Sequence, residues 1–297
     1  MGRTIAEADR LRYHARPMPE LPEVETVRRA LALALEGRRI VRVEARRRVL
    51  RVPLAKDFER RLQGARVARV DRRAKYLLVY LEGGTVLVAH LGMSGRMRLC
   101  KKPAPAPERH DHVEIETDQG VILRFNDPRR FGLMALIPEA KLAGHKWFQA
   151  LGPEPLAPGF DGAALARRLG GRQTSLKAAL MDQRTVAGLG NIYVCEALFR
   201  AGLSPFRRAG TVAGSRSRRL ARAIRAVLQA AIAAGGSSLR DHRQPSGELG
   251  LFQHRFAVYG REGKPCQGCA CDLAKTGGIR RSVQGGRATF YCPRKQR

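Results

Sequence analysis

No run of about 18 apolar residues, the length that a membrane-spanning helix requires, occurs anywhere in the 297-residue sequence. The most apolar stretch, near 221–234, is interrupted by Arg222 and Arg225. The first 17 residues contain arginine and histidine but lack the apolar segment of a secretory signal peptide. We therefore expect a cytoplasmic protein with no membrane partner.

Acidic residues are also scarce. The chain has 26 Asp and Glu against 56 Lys and Arg, a formal net charge of +30. A GC-rich genome explains the use of arginine where lysine would serve, but it does not create net charge. Because the arginine guanidinium binds phosphate through a planar fork and stacks on bases, this excess predicts a nucleic-acid partner.

Cysteine is infrequent outside one region near the C-terminus. Four cysteines cluster there, namely Cys266, Cys269, Cys271 and Cys292. In a chain expected to be cytoplasmic, such a cluster indicates a metal site rather than disulfides. Cys100 and Cys195 stand alone and are predicted to be buried thiols.

Hydrophobic periodicity changes along the chain after residue 18. Apolar residues at helical spacing over 20–35, with Pro22 in the first turn and Gly37 beyond the end, predict a helix. Short segments rich in Val, Ile and Leu then predict an antiparallel sandwich, with strands at 39–45, 65–70, 76–82, 85–91, 112–117 and 121–125. Helical spacing returns over 162–169, 175–181, 192–201 and 217–234.

The segment Met18-Pro-Glu-Leu-Pro-Glu-Val-Glu25 is the most specific motif. Without context it is typical of a helix start with proline in the first turn. The functional interpretation requires Pro19 to be the mature N-terminus and therefore a free secondary amine. Because a free α-amine has a pKa near 8, against about 10.4 for lysine, roughly a tenth of it is neutral and nucleophilic at pH 7.

Such an amine could attack the C1′ atom of a damaged nucleotide and expel the base. The product of a secondary amine is an iminium that cannot lose its charge, so it withdraws electrons and strand breakage by elimination follows. The adjacent Glu20 carboxyl is placed to move protons to the sugar or the base.

The string MPELPEVET resembles the start of the formamidopyrimidine-DNA glycosylases, and the resemblance continues through the chain from Met18. It implies that Pro19 is the nucleophile, Glu20 the general acid and Glu23 a further active-site carboxylate. The 17 upstream residues depart from the family pattern. If they were retained, the Pro19 nitrogen would be part of a peptide bond and could not act as a nucleophile. We therefore expect them to be a non-native or disordered extension.

An α+β fold is implied by the same resemblance. The expected parts are an N-terminal catalytic β-sandwich with a leading helix (18–137), a linker (138–150), a helix-two-turn-helix domain with a lesion-recognition loop (151–257) and a C-terminal β-hairpin zinc-finger-like module (258–297). The loop over 237–252 would form a lid over the flipped base.

Several further motifs receive roles from this resemblance. Lys75 in RRAK would assist β-elimination, and Arg287 in GRATF would assist the final elimination. Met93 in HLGMSG and Phe131 in DPRRFG would wedge into the base stack. The DNA-binding residues implied are His110, Arg129, Arg172, Met93, Phe131, Lys177 and Asn191. Without the resemblance, the same strings are typical of a charged strand edge, a core methionine and a solvated loop.

The C-terminal module departs from the family's two C-x₂-C pairs because Lys295 stands at the fourth position. Lysine is protonated near pH 7 and is a poor zinc ligand. The predicted zinc ligands are Cys266, Cys269 and Cys292, with Cys271 as the candidate fourth. A zinc-free finger held by hairpin packing is the alternative.

The resemblance implies a monomeric, nucleoid-associated glycosylase and AP lyase that removes 8-oxoguanine and formamidopyrimidines from damaged double-stranded DNA by β,δ-elimination. Two alternatives stay open. An endonuclease VIII-like enzyme for oxidised pyrimidines is disfavoured by Leu21, where that branch usually has glycine. A non-catalytic DNA-binding homologue is favoured by the upstream residues and by Lys295.

Overall fold

The computed structural model describes residues 18–238, 244–269 and 272–297. The expected extension over 1–17, part of the expected lid, and Cys271 lie outside these ranges. The helices in the described ranges are α1 (Leu21–Leu35), α2 (Phe58–Leu62), α3 (Glu139–Leu142), α4 (Gly162–Leu169), α5 (Leu176–Met181), α6 (Asn191–Ala201), α7 (Ser215–Ala233) and α8 (Leu273–Thr276), with 3₁₀ turns at Ala209–Thr211 and Phe252–Arg255. The strands are β1 (Ile40–Ala45), β2 (Val67–Arg73), β3 (Tyr76–Leu81), β4 (Thr85–His90), β5 (Arg96–Lys101), β6 (Asp111–Thr117), β7 (Val121–Asn126), β8 (Leu133–Pro138), β9 (Arg280–Gln284) and β10 (Arg287–Tyr291).

Helix α1 forms where the sequence predicts it. The Glu20 backbone N–H donates to Glu23 Oε2 at 3.0 Å, which satisfies a donor at the helix start. Pro22 occupies the first turn, where its missing N–H has no cost. The chain leaves the helix through Gly37, whose φ of +75° suits glycine.

The predicted sandwich consists of two antiparallel four-stranded sheets, with strand orders β1-β6-β7-β5 and β2-β3-β4-β8. Inward-facing side chains of both sheets share one hydrophobic core with α1, and Val27, Val43, Leu77, Leu87 and Phe125 all belong to it.

The sequence pattern does not predict β5 and β8, which lie at sheet edges. In β5 the string RMRLCK alternates basic and apolar residues, so only Met97 is fully buried among its side chains. In β8 the apolar run LMALIP fits a buried helix as well as a strand. Pairing with β7 and β4, rather than local pattern, determines these two edges.

The helical domain packs α4, α5, α6 and α7 around a second core, which includes Leu165, Leu180, Leu198 and Leu228. Leu21 of α1 belongs to this core, whereas Val24 of the next turn belongs to the sandwich core. The first turn of α1 therefore lies at the junction of the two domains.

Strands β9 and β10 form the expected C-terminal hairpin, turning through Gly285 and Gly286 at positive φ. Phe290 of the hairpin packs with Phe199 of α6 and with Val258, so the hairpin is docked on the helical domain. None of the described helices is long and apolar enough to cross a bilayer.

Candidate active site

Glu20 lies between α1 and α6, and only 3% of its surface is exposed. The Ile192 N–H donates to Oε1 at 3.0 Å, and the Tyr193 N–H approaches Oε2 at 3.4 Å. Both belong to the first turn of α6, where unpaired N–H groups and the helix dipole favour an anion. A Cβ at Gly190 would overlap the Glu20 carboxyl, so glycine at this position permits the approach.

The string GLGNIY leads into α6, and the N–H groups of Ile192 and Tyr193 that follow its glycines contact the Glu20 carboxylate. The Asn191 side chain contacts β10 instead, since Nδ2 donates to the Ala288 carbonyl at 2.9 Å. Its predicted phosphate contact stays a prediction.

Burial raises the pKa of Glu20 from 4.5 to about 7, and the negative charge of Glu23 acts in the same direction. The Lys75 ammonium and the two α6 N–H groups oppose this rise. Near neutral pH the carboxyl therefore exists in both protonated and ionised forms, as a general acid requires.

The Glu23 carboxylate joins three segments of the chain. Its Oε2 accepts from the Glu20 backbone, and its Oε1 accepts from the backbone N–H and the hydroxyl of Ser237, both at 2.8 Å. The Tyr193 hydroxyl makes a further short hydrogen bond to the same Oε1. Ser237 begins the expected lid segment, so this carboxylate connects the lid to α1 and α6.

Lys75 is buried in the turn between β2 and β3, where Ala74 takes a positive φ of +52°. Ion pairs hold this turn, because Arg72 contacts Glu25 at 3.2 Å and Glu154 at 2.9 Å. Glu154 also accepts from the Ala74 N–H at 2.6 Å. A residue at the start of the helical domain thus helps to fix the turn that positions the lysine.

Burial lowers the pKa of Lys75. The Glu20 and Glu23 carboxylates oppose that effect, whereas the nearby Arg287 guanidinium adds to it. Lys75 therefore lies within electrostatic reach of two other predicted catalytic side chains, Glu20 and Arg287.

Pro19 is buried directly before Glu20. Because residues 1–17 lie outside the described ranges, the state of the Pro19 nitrogen stays a prediction. The predicted nucleophile and the predicted general acid are neighbours at the junction of the two domains.

Asp127 organises the loops that carry the predicted wedge residues. Its carboxylate accepts from the Ser94 hydroxyl at 2.5 Å and from the Gly132 N–H at 2.8 Å. Its carbonyl contacts His112 Nε2 at 2.8 Å, and its N–H donates to the His110 carbonyl at 3.0 Å. This one buried residue brings HLGMSG, DPRRFG and the segment that contains His110 and His112 together.

The predicted DNA-facing side chains of these loops are accessible. Phe131 is 42% exposed, and the Arg129 guanidinium lies 4.6 Å from the centroid of its ring. Met93 and His110 are half-buried.

The loop around Met93 is also fixed by His90, which accepts from the Gly92 N–H at 2.9 Å. Burial, with the charges of Lys75 and Arg51, lowers the pKa of His90 to about 4, so its ring is neutral at physiological pH.

Lys177 is buried, whereas a side chain that contacts a DNA phosphate is expected at the surface. It is 1% exposed, and Nζ donates to the Ala288 carbonyl at 2.9 Å and to Thr289 Oγ1 at 2.7 Å. In this structure it anchors β10, and its phosphate contact stays a prediction. Arg172 is half-exposed and pairs with Asp182 at 3.2 Å.

Glu196 of α6 fixes the chain that leads into the finger module. Its buried carboxylate accepts from the N–H groups of Ala257, Val258 and Tyr259 at 2.8–3.0 Å. Together with Lys177, it ties the finger to the helical domain and so fixes the position of Arg287.

Three cysteines of the finger lie together. The sulfur atoms of Cys266, Cys269 and Cys292 are within 4.8 Å of one another, close enough to hold a metal ion. Backbone N–H groups of Gly268 and Lys295 donate to Cys266 and Cys292 at 3.3 and 3.4 Å. Cys269 is disulfide-bonded in this structure, whereas Cys266 and Cys292 take part in no disulfide.

Lys295 does not complete this group as a ligand. Its ammonium lies over the Phe199 ring, 4.2 Å from the centroid, in a cation–π contact. Of the two isolated cysteines, Cys195 is buried as predicted, while Cys100 is only half-buried on the edge strand β5.

Comparison with known proteins identifies the family of this chain. The model of the formamidopyrimidine-DNA glycosylase N-terminal domain matches residues 18–134, and that of the formamidopyrimidine-DNA glycosylase H2TH domain matches 151–243. The chain is 59% identical to formamidopyrimidine-DNA glycosylase of Rhodospirillum centenum over 94% of this chain and 100% of the relative. The chain belongs to the formamidopyrimidine-DNA glycosylase family.

Solved structures of the family have the same fold. The MutM (Fpg) protein from Thermus thermophilus is 44% identical, with a TM-score of 0.81 over 94% of this chain and 98% of that one. Wild-type Lactococcus lactis Fpg, in complex with DNA containing N7-benzyl-Fapy-dG, is 34% identical, with a TM-score of 0.83 over 94% and 100%. The family-model match begins at Met18, so residues 1–17 lie outside it.

Sequence reasoning misses several residues that build this site, among them Tyr193, Asp127, Glu154 and Glu196. Their partners are distant in sequence, so no local pattern identifies them. A signal exists for Asp127 alone, because aspartate before proline commonly organises a turn through its side chain.

Proposed function

We propose that this protein is a DNA glycosylase with AP lyase activity that excises oxidised purines from duplex DNA. The observation that carries the proposal is the buried Glu20 carboxyl, which follows Pro19 directly and has a pKa near 7. A proton donor with that pKa beside an N-terminal secondary amine is suited to breaking a glycosidic bond.

In this mechanism the neutral Pro19 nitrogen bonds to C1′, and the bond from C1′ to the base breaks. Glu20 supplies a proton to the sugar or the departing base, and the opened sugar forms an iminium with Pro19. Loss of a proton from C2′ then expels the 3′ phosphate, and a second elimination expels the 5′ phosphate. Lys75 and Arg287 are proposed to assist these two eliminations.

The mechanism requires that Pro19 be the first residue of the working enzyme. A peptide upstream would convert its nitrogen into an amide without a nucleophilic electron pair. We propose that translation begins at Met18 and that the methionine is removed, which is common before proline.

The lesion class follows from the relatives. Family structures are described in complex with DNA containing Fapy-dG and carbocyclic 8-oxo-G. We propose the same class of oxidised purine for this chain, acting as a monomer. Met93 and Phe131 would fill the space left by the flipped nucleotide, and Arg129 would bond the orphaned base.

The finger is proposed to hold zinc through the thiolates of Cys266, Cys269 and Cys292, once Cys269 is reduced. Zinc accepts thiolate ligands, and the two N–H···S hydrogen bonds preorient the sulfurs of Cys266 and Cys292. The metal would act as a structural crosslink. With Lys295 at the fourth position, we expect zinc to be held less tightly than by four cysteines.

Borohydride trapping tests the catalytic proposal. Protein beginning at Met18 is incubated with duplexes that carry one 8-oxoguanine or one thymine glycol. We expect a covalent adduct that is more abundant on 8-oxoguanine, and weaker trapping by Pro19→Gly. Preferential trapping on thymine glycol would favour an endonuclease VIII-like enzyme, and DNA binding without an adduct would favour a non-catalytic homologue.

A further inference from the structure

Tyr193 is a fully buried residue with polar contacts to both active-site carboxylates. Its backbone N–H approaches Glu20 Oε2 at 3.4 Å, and its hydroxyl donates to Glu23 Oε1. The hydroxyl also lies 3.0 Å from Ser237 Oγ. It is therefore the residue of α6 that contacts the catalytic turn and the first residue of the lid segment.

Donors surround the Glu23 carboxylate. Oε2 accepts from Glu20 N–H, while Oε1 accepts from Ser237 N–H, Ser237 Oγ and the Tyr193 hydroxyl. All of these groups contact the carboxylate at once, so together they hold it in one orientation. Burial raises the pKa of the Tyr193 phenol well above its usual value, so the phenol stays a donor at every working pH.

The described groups that face Glu23 come from four elements. Glu20 at the start of α1 is a like charge, and Lys75 in the β2–β3 turn is an opposite charge. Tyr193 of α6 and Ser237 after α7 are neutral donors. Gly236 permits the close approach, because its φ is +81° and a Cβ there would lie 3.2 Å from Glu23 Oε1.

We propose that Tyr193 is a positioning residue whose hydroxyl keeps the Glu23 carboxylate oriented, so that Glu23 can hold the Glu20 backbone and Ser237 at the same time. The inference rests on the proposed glycosylase function and deepens it. The ionised Glu23 also favours the protonated form of Glu20, because its charge acts on that carboxyl. Tyr193 thereby supports the general acid without contacting the nucleotide.

The test is the pH profile of single-turnover base excision by the Met18-start protein and its Tyr193→Phe variant. Loss of the Tyr193 hydroxyl removes one of the hydrogen bonds that hold the Glu23 carboxylate near Glu20. Because the Glu23 charge raises the pKa of Glu20, the limb of the profile that falls as Glu20 ionises should move to lower pH. In a Glu23→Gln background, Tyr193→Phe should leave the shape of the profile unchanged, because no charge remains at position 23.

Two further variants make the result interpretable. Ser237→Ala removes another donor from the same oxygen and should move the Glu20 limb in the same direction, even if Tyr193→Phe does not fold. Tyr80→Phe removes a hydroxyl from a residue of β3 that packs in a separate hydrophobic cluster, beneath Arg69, and should leave the profile unchanged.

Activity that falls equally at every pH in both Tyr193→Phe and Ser237→Ala would overturn the positioning role. A wild-type protein that excises no lesion would instead contradict the proposed function, so the two failures are distinguishable.

Discussion

At the scale of single residues, burial sets the protonation states beside Pro19. It raises the pKa of the Glu20 carboxyl to about 7 and lowers the pKa of the Lys75 ammonium. Both groups move toward the range in which a side chain can give or take a proton at neutral pH. Helix α6 limits the rise in the pKa of Glu20, because the first N–H groups of the helix stabilise the ionised carboxylate.

The raised pKa of Glu20 predicts a pH-dependent stability. Its folded-state pKa of about 7 lies above the ordinary value of 4.5, so its stabilising contribution is complete below pH 4.5 and is lost as the pH rises through 7. The Glu20→Gln variant has no carboxyl to ionise at this position, so it does not lose stability in this way as the pH rises. We expect the variant to gain on the order of 3 kcal/mol relative to wild type between pH 4.5 and pH 8.

Urea unfolding of both proteins at pH 5 and pH 8 measures this difference. Glu82→Gln, in an exposed turn between β3 and β4, is the matched control and should show no pH-dependent gain. An equal stability difference at the two pH values would mean that Glu20 is not a titrating group in this range.

Base excision by Glu20→Gln should fall by about 10²- to 10⁴-fold, the usual contribution of a general acid.

At the scale of elements, long-range hydrogen bonds fix the finger on the helical domain. Lys177 of α5 holds β10, and Glu196 of α6 holds the chain that leads into the finger. The position of Arg287, the first residue of β10, depends on these anchors.

Lys177→Met is therefore expected to loosen the hairpin. The substitution leaves the Ala288 carbonyl with one donor fewer and removes the partner of Thr289, at a cost of about 1–3 kcal/mol in unfolding free energy. The β-elimination product should accumulate at the expense of the δ-elimination product, because Arg287 is proposed to act in the final step. Gel analysis of the cleaved ends, with the exposed Arg168→Met as control, checks this. An unchanged product ratio would remove Lys177 from the positioning of the hairpin.

The elements differ in how well sequence predicts them. Central strands such as β3 and β7 are identified because they are β-branched or apolar and bounded by turn residues. Edge strands β5 and β8 are not, because one is strongly basic and the other fits a helix. The start of α1 is predicted from Pro22 and the acidic first turn, whereas the contacts of Glu20 with α6 join residues 172 and 173 positions apart and leave no local signal.

The finger gives a prediction about metal retention. Lys295→Cys should supply a fourth thiolate and allow a closed tetrahedral site. Under reducing conditions and with a chelator present, we expect this variant to retain zinc that the wild-type protein loses, as measured by metal analysis after gel filtration. Lys264→Cys is the control for an added thiol. Wild-type retention equal to that of Lys295→Cys would show that the natural site is already closed.

At the scale of the whole molecule, two hydrophobic cores meet at the first turn of α1. Leu21 belongs to the helical core and Val24 to the sandwich core, and the predicted nucleophile Pro19 lies two residues before Leu21. A net charge of +30 favours association with the DNA backbone, while the proposed chemistry takes place at the junction. The proposed mechanism thus depends on the contact between the domains and on removal of all residues before Pro19.

Mass spectrometry of the borohydride-trapped adduct tests this dependence most directly. We predict that digestion of the adduct formed on 8-oxoguanine duplex will yield a sugar-bearing peptide whose first residue is Pro19, with the reduced bond at its nitrogen. An adduct on a lysine such as Lys75, or an active protein that still carries residues before Pro19, would contradict the proposed chemistry.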